Sequence, residues 1–146
     1  MCTTEFIDGF SDPSFRFLSN FYSATIVHGG YTWPSSEHMY QAYKTLNLDE
    51  RIPFLTCTAG QAKRKGRKVT MRDDWDLVKD DVMELVVTLK FTQNEYLKDM
   101  LIATGDLYIQ ETNTWNDTYW GVCNEIGQNK LGFILMEIRQ QLLDNR

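Results

Sequence analysis

Apolar residues recur at a helical interval in three stretches of this chain. From Asp74 to Phe91 they fall at Trp75, Val78, Val82, Leu85, Val86 and Leu89, close to a 3.6-residue period, which predicts an amphipathic helix. Asn94 to Ala103 continues helically with Leu97, Met100 and Leu101 expected inward and Gly105 stopping it, and Leu131 to Leu143 closes the chain as a further amphipathic helix. Between Ala24 and Trp33 the pattern alternates loosely around His28-Gly29-Gly30-Tyr31, and Gly-Gly is a favourable two-residue turn, so a β-hairpin is expected. Pro34 followed by Ser35-Ser36 marks a helix start, because either serine can cap free backbone N–H groups; this helix is expected to run to about Asn47. Another is expected from Pro53 to Lys65, ended by Gly66. Leu107 to Gln110 is a short strand candidate, residues 111–130 are polar and turn-rich, and residues 1–23 read as extended segments and loops. These elements predict one α-rich α+β domain over residues 1–146 with a small β-hairpin or sheet.

Composition narrows the class. At 146 residues, 42% apolar and 24% charged, the chain is in the range of a globular domain able to bury a core. Its net charge of −5 argues against broad coating of nucleic acid. Locally the balance is different: Lys63, Arg64, Lys65, Arg67 and Lys68 place five of the fifteen basic residues in one short stretch. Three cysteines (Cys2, Cys57, Cys123), no CxxC pair and two histidines predict neither a disulfide framework nor a metal site. The first residues, Met-Cys-Thr-Thr-Glu, have no basic or apolar region of a secretory signal, and no stretch approaches a membrane span. A cytoplasmic protein without membrane association is expected.

Two polar clusters sit where a core would not want them. On the helix expected after Pro34, Glu37, Gln41 and Lys44 share one stripe, with the carboxylate in the first turn, where the helix dipole favours an anion by roughly 0.3–1 kcal/mol. A solvated face is the competing use of such a stripe. The second cluster is Asn116-Asp117-Thr118-Tyr119-Trp120-Gly121, in which Asp117 either forms a turn or supplies a second acid. Trp75, Trp115 and Trp120 lie in or beside polar sequence, where stacking on a flat ligand ring or a lid role would explain them. Arg67, with its forked guanidinium, is the candidate for phosphate, while Lys63, Lys65 and Lys68 are expected on a solvated face. Asn20 is a candidate for hydrogen bonding to a ribose or base, or for a loop cap. Asn129 is expected either to support a pocket or to cap the last helix.

In order along the chain, Phe17-Leu18-Ser19-Asn20-Phe21, Trp33 to His38, Gln41 to Lys44, Gly66-Arg67, Asp74-Trp75, Lys90-Phe91, Asn116 to Gly121 and Gly127 to Gly132 resemble the motifs of the NADAR superfamily, also called the YbiA-like family. The resemblance runs from about residue 15 to residue 142, and it is the joint order of the pieces that is specific. It implies a YbiA-like fold and N-glycosidase chemistry without a cofactor. The substrate would be a phosphorylated ribosyl compound: an ADP-ribosylated guanine base, or a ribosylaminopyrimidine phosphate of riboflavin synthesis. Nucleic acid would enter only as the modified substrate. Glu37, Lys44 and Asp117 would be catalytic, with Lys44 either holding phosphate or forming a Schiff base with the sugar. Asn20, Arg67, Trp75, Tyr119, Trp120 and Asn129 would bind substrate. A non-catalytic sensor of ADP-ribose or NAD is the alternative. Val122-Cys123-Asn124-Glu125-Ile126 departs from the Gly/Asp-rich run of many members, which leaves the shape of that loop open.

Overall fold

The computed structural model of the chain describes residues 6–146. Cys2 and the N-terminal pentapeptide lie outside the described residues. The backbone forms two compact units, one of residues 20–95 and one built from the chain's two ends, up to Ser19 and from Tyr96 onward. The architecture is α+β, as the sequence pattern predicts.

In the unit of residues 20–95, β2 (Ile26–His28) and β3 (Tyr31–Trp33) form the antiparallel hairpin, with Ile26 opposite Trp33. Gly29 and Gly30 both have positive φ, 64° and 85°, as a tight primed turn requires. Trp33 then anchors the hairpin: its ring is fully buried and its indole N–H donates to the His28 carbonyl at 3.3 Å. Helix α1 (Ser36–Ala42) follows, capped by Ser35, whose hydroxyl accepts from the His38 N–H. It packs against β3, α3 (Ala59–Lys65) and α4 (Trp75–Gln93), and all seven of its residues are buried.

Two expected helices are shorter than predicted. The one expected to reach Asn47 ends at Ala42, because Asn47 adopts an extended conformation to cap α2 (Leu48–Arg51), accepting from the N–H groups of Asp49 and Glu50. The one expected from Pro53 is instead a single 3₁₀ turn (Ile52–Leu55), and α3 begins afresh where Thr58 and Gln61 form a reciprocal capping box. Gly66 does end α3, but with a right-handed φ of −61°; glycine is needed there for closeness, since a Cβ would collide with the Gln41 side chain.

In the other unit, β1 (Phe6–Asp8) pairs in parallel with β4 (Tyr108–Gln110), and α6 (Lys130–Asp144) packs on β4. Helix α5 runs over Glu95–Ala103 with Leu97 and Leu101 buried, whereas Met100, expected inward, is exposed. Gly105 follows with φ +68°. Where residues 122–126 depart from the family pattern, the chain makes a tight turn: Cys123 and Ile126 exchange backbone hydrogen bonds, and Asn124 and Glu125 both take left-handed φ, 52° and 66°. Among the described residues, no helix is long and apolar enough to cross a membrane.

Candidate active site

Glu37 occupies the first turn of α1, and Asn20 sets that turn. The Asn20 carbonyl accepts the Glu37 N–H at 3.1 Å, and its side-chain oxygen accepts from the Ser36 hydroxyl at 2.8 Å. Asn20 is itself buried, its amide N–H directed at Met83 Sδ. These bonds are those of the loop cap considered for Asn20, made at the entry to α1. One turn along, Gln41 Nε2 donates to Glu37 Oε2 at 2.7 Å, fixing the carboxylate. Gln41 Oε1 has no hydrogen-bond partner, as it lies against Gly66.

His38, between them, is a staple that sequence reasoning passed over. Its Nε2 donates to the Cys57 carbonyl at 2.7 Å, so its Nδ1 accepts from the Ser35 hydroxyl at 2.6 Å. Burial lowers its pKa, with the Cys57 carbonyl pulling the other way, and the ring is held neutral.

Lys44 lies in the turn after α1, no longer on the helix but still in the field of Glu37. Its pKa is lowered, chiefly by burial; the Glu37 carboxylate opposes this, while Arg67 and Lys63 push it further down. The amine is 5.8 Å from the centre of the Tyr40 ring, and Tyr40 meets Trp75 edge-on at 5.2 Å. Trp75 is only 5% exposed, so its indole serves as a wall behind Tyr40 rather than as an open stacking face. Phe21, by contrast, is 46% exposed, with Lys63 at 5.9 Å from its ring. It is the most exposed aromatic of this unit, and the FLSNF motif is its signal in the sequence. Within residues 20–95, then, the acid, the Lys44 amine, Arg67 and their supports form one assembly.

The second cluster, in the other unit, is a loop organised by Asn113, a buried residue within the polar, turn-rich stretch 111–130. Its amide donates to the Asp117 carbonyl and to Glu111 Oε2, and its oxygen accepts from the N–H groups of Trp115 and Asp117. Asp117 does the turn-forming work considered for it: Oδ1 accepts from Tyr119 N at 3.1 Å and Trp120 N at 2.9 Å. Those aromatics meet edge-to-face at 4.8 Å, and the Lys130 amine is 4.7 Å from the Tyr119 ring. Trp115 is 58% exposed. Gly121 is needed because a Cβ there would strike Glu111 and Asn113. Asn129 precedes α6, but its side chain makes no cap. Instead it accepts from Glu111 N at 2.9 Å and donates to the Ile109 carbonyl and the Tyr108 hydroxyl. Its amide is thereby committed to positioning the loop that carries Glu111.

The family model of the NADAR domain matches residues 8–143. The chain belongs to the NADAR family. It is 40% identical over 129 residues to a Shigella flexneri protein named N-glycosidase YbiA, covering 86% of this chain and 80% of that one. It is 39% identical to riboflavin biosynthesis protein VVA0006 of Vibrio vulnificus over 92% of its own length, but spans just 37% of that longer protein. The NMR structure of E. coli YbiA superimposes with a TM-score of 0.84 at 35% identity, covering 99% of this chain and 89% of the other. This NADAR chain therefore shares the YbiA fold, and the resemblance read from its motifs holds.

Proposed function

We propose that this NADAR chain is an N-glycosidase that hydrolyses the bond between C1′ of a phosphorylated ribose and a nitrogen of a base or amine. The observation that carries it is a buried carboxylate, clamped by Gln41, in the field of a lysine amine whose proton affinity is lowered by burial and by two flanking cations. Breaking the C1′–N bond builds oxocarbenium-like positive charge on the sugar, which a carboxylate such as Glu37 stabilises. A neutral Lys44 amine is a nucleophile. It attacks C1′, the bonding pair leaves with the nitrogen, which takes up a proton, and the sugar ring opens to an imine. Water then hydrolyses the imine, returning the amine and releasing the free sugar aldehyde. Arg67 is assigned the phosphate and Asp117 the second carboxylate, with Tyr119 and Trp120 as ring contacts. The names of the relatives support this reaction class, and those of the riboflavin proteins support a ribosylaminopyrimidine phosphate, with ADP-ribosylated guanosine as the other substrate of the same chemistry.

The test is turnover of both compounds by the wild type and by Glu37→Gln, Lys44→Ala and Asp117→Ala. Losses of about 10²–10⁴-fold are expected. Borohydride should trap a sugar–protein adduct in the wild type and not in Lys44→Ala. Full turnover in all three variants would remove the mechanism, and tight binding of ADP-ribose without product would make the chain a binding module instead.

A further inference from the structure

Helical spacing divides the basic stretch among three rows. Ala62 and Gly66 face α1, and Lys63 and Arg67 are in the field of Lys44. Gln61, Arg64, Lys65 and Lys68, at i, i+3, i+4 and i+7, share the remaining face; the chain beyond Lys65 keeps the winding through Arg67 N–H to Arg64 and Lys68 N–H to Lys65 hydrogen bonds. That last face lines an open cleft of about 530 Å³, together with Pro53, Thr56 and Cys57.

Apart from Pro53, every side chain on its wall is a cation or can donate a hydrogen bond. Among the described residues, no carboxylate pairs with Arg64, Lys65 or Lys68. Gln61 Oε1 is occupied by the Thr58 N–H, which leaves its Nε2 as a donor. Burial raises the Cys57 pKa, with Lys65 pulling it down, so the thiol adds no negative charge. The volume is in the range of small-molecule sites. The molecule as a whole carries −5, so an anion drawn to this face is drawn by the cluster and not by a general field.

We propose that this cleft is a second anion site, separate from the Glu37–Lys44 centre, that takes clustered phosphates: the pyrophosphate of a nucleotide or successive phosphodiesters of a strand. It stands on its own wall chemistry, whether or not the chain is a glycosidase. Arg64 supplies a bidentate fork, and Lys65 and Lys68 supply point charges.

The test uses the whole chain and two probes, inorganic pyrophosphate followed by calorimetry and a labelled oligothymidylate of about 12 nucleotides followed by anisotropy. Both are measured at about 50 and about 200 mM salt. The double variant R64Q/K68Q, whose changed side chains are exposed, is compared with the wild type and with Lys79→Gln as a charge control; thermal melts verify folding. At least a 10-fold loss of binding is expected in the double variant alone, and for the strand a salt slope shallower by roughly 1.4. Loss for pyrophosphate identifies a nucleotide phosphate as the ligand, and loss for the oligonucleotide alone identifies a strand. Wild-type binding of neither probe, or an equal loss in Lys79→Gln, would overturn the proposal.

Discussion

Lys44 illustrates how single residues acquire their chemistry here. Its sequence context shows a lysine two turns beyond a glutamate, a pattern that most often means a solvated ion pair. The structure adds burial and the proximity of Arg67 and Lys63, and these decide the balance against the attraction of Glu37. Activity that needs the neutral amine should rise with pH up to the lowered Lys44 pKa. Because Arg67 depresses that pKa, Arg67→Gln should move the acid limb of the kcat/KM profile to higher pH, besides weakening substrate binding. Lys44→Arg, which keeps the cation but forms no imine, should lose at least about 10²-fold in kcat. A Lys44→Arg enzyme with unchanged kcat would mean the residue is only a phosphate clamp. At this scale the sequence singles out candidate residues but not whom they touch. Asn20 and Asn129 were legible as special positions, yet each turns out to hold backbone in place. Nothing in one dimension distinguishes an amide facing a ligand from an amide facing a backbone N–H 18 residues away, as in Asn129 and Glu111.

Among elements, long periodic helices were easy to read and interruptions were not. The apolar period of α4 and the Gly-Gly turn carry their own signal. The breaks after Ala42 and Leu55 come from caps, Asn47 and the Thr58–Gln61 box, that override an apolar pattern still compatible with helix. The box was visible as a T-x-x-Q spacing. The contact between α1 and α3 through Gly66 was not, because a right-handed glycine leaves no mark in the pattern. Gly66→Ala should displace the Gln41 amide from Glu37, costing about 1–3 kcal/mol of stability. A larger fractional loss in kcat than in folding should accompany it, as thermal melts and kinetics on the same sample would show. Unchanged kcat would mean that Gln41 does not hold the acid in its working position.

For the molecule as a whole, stability should depend on pH through Lys90. It is 0% exposed on α4, and burial lowers its pKa to about 7. The unfolded chain keeps an ordinary lysine near 10.4. Between those values the unfolded state holds more protons than the native state, so this residue makes stability rise with pH from about 7 to about 10, and below that window its full cost is present. Lys90→Met should therefore raise the melting temperature more at about pH 6 than at about pH 9.5. An equal change at both values would show that the amine is not desolvated in the native state. The two compact units are joined by a single family model that runs through both, which is why the motif order, rather than any local string, made the fold legible.

Helix α1 has no residue turned to water. Most short helices offer an outward side on which substitutions accumulate harmlessly; this one has no such silent positions. A saturation library across residues 36–42 should show nearly every column depleted. The segment is in effect a fixed word, in which a change to any letter should be felt.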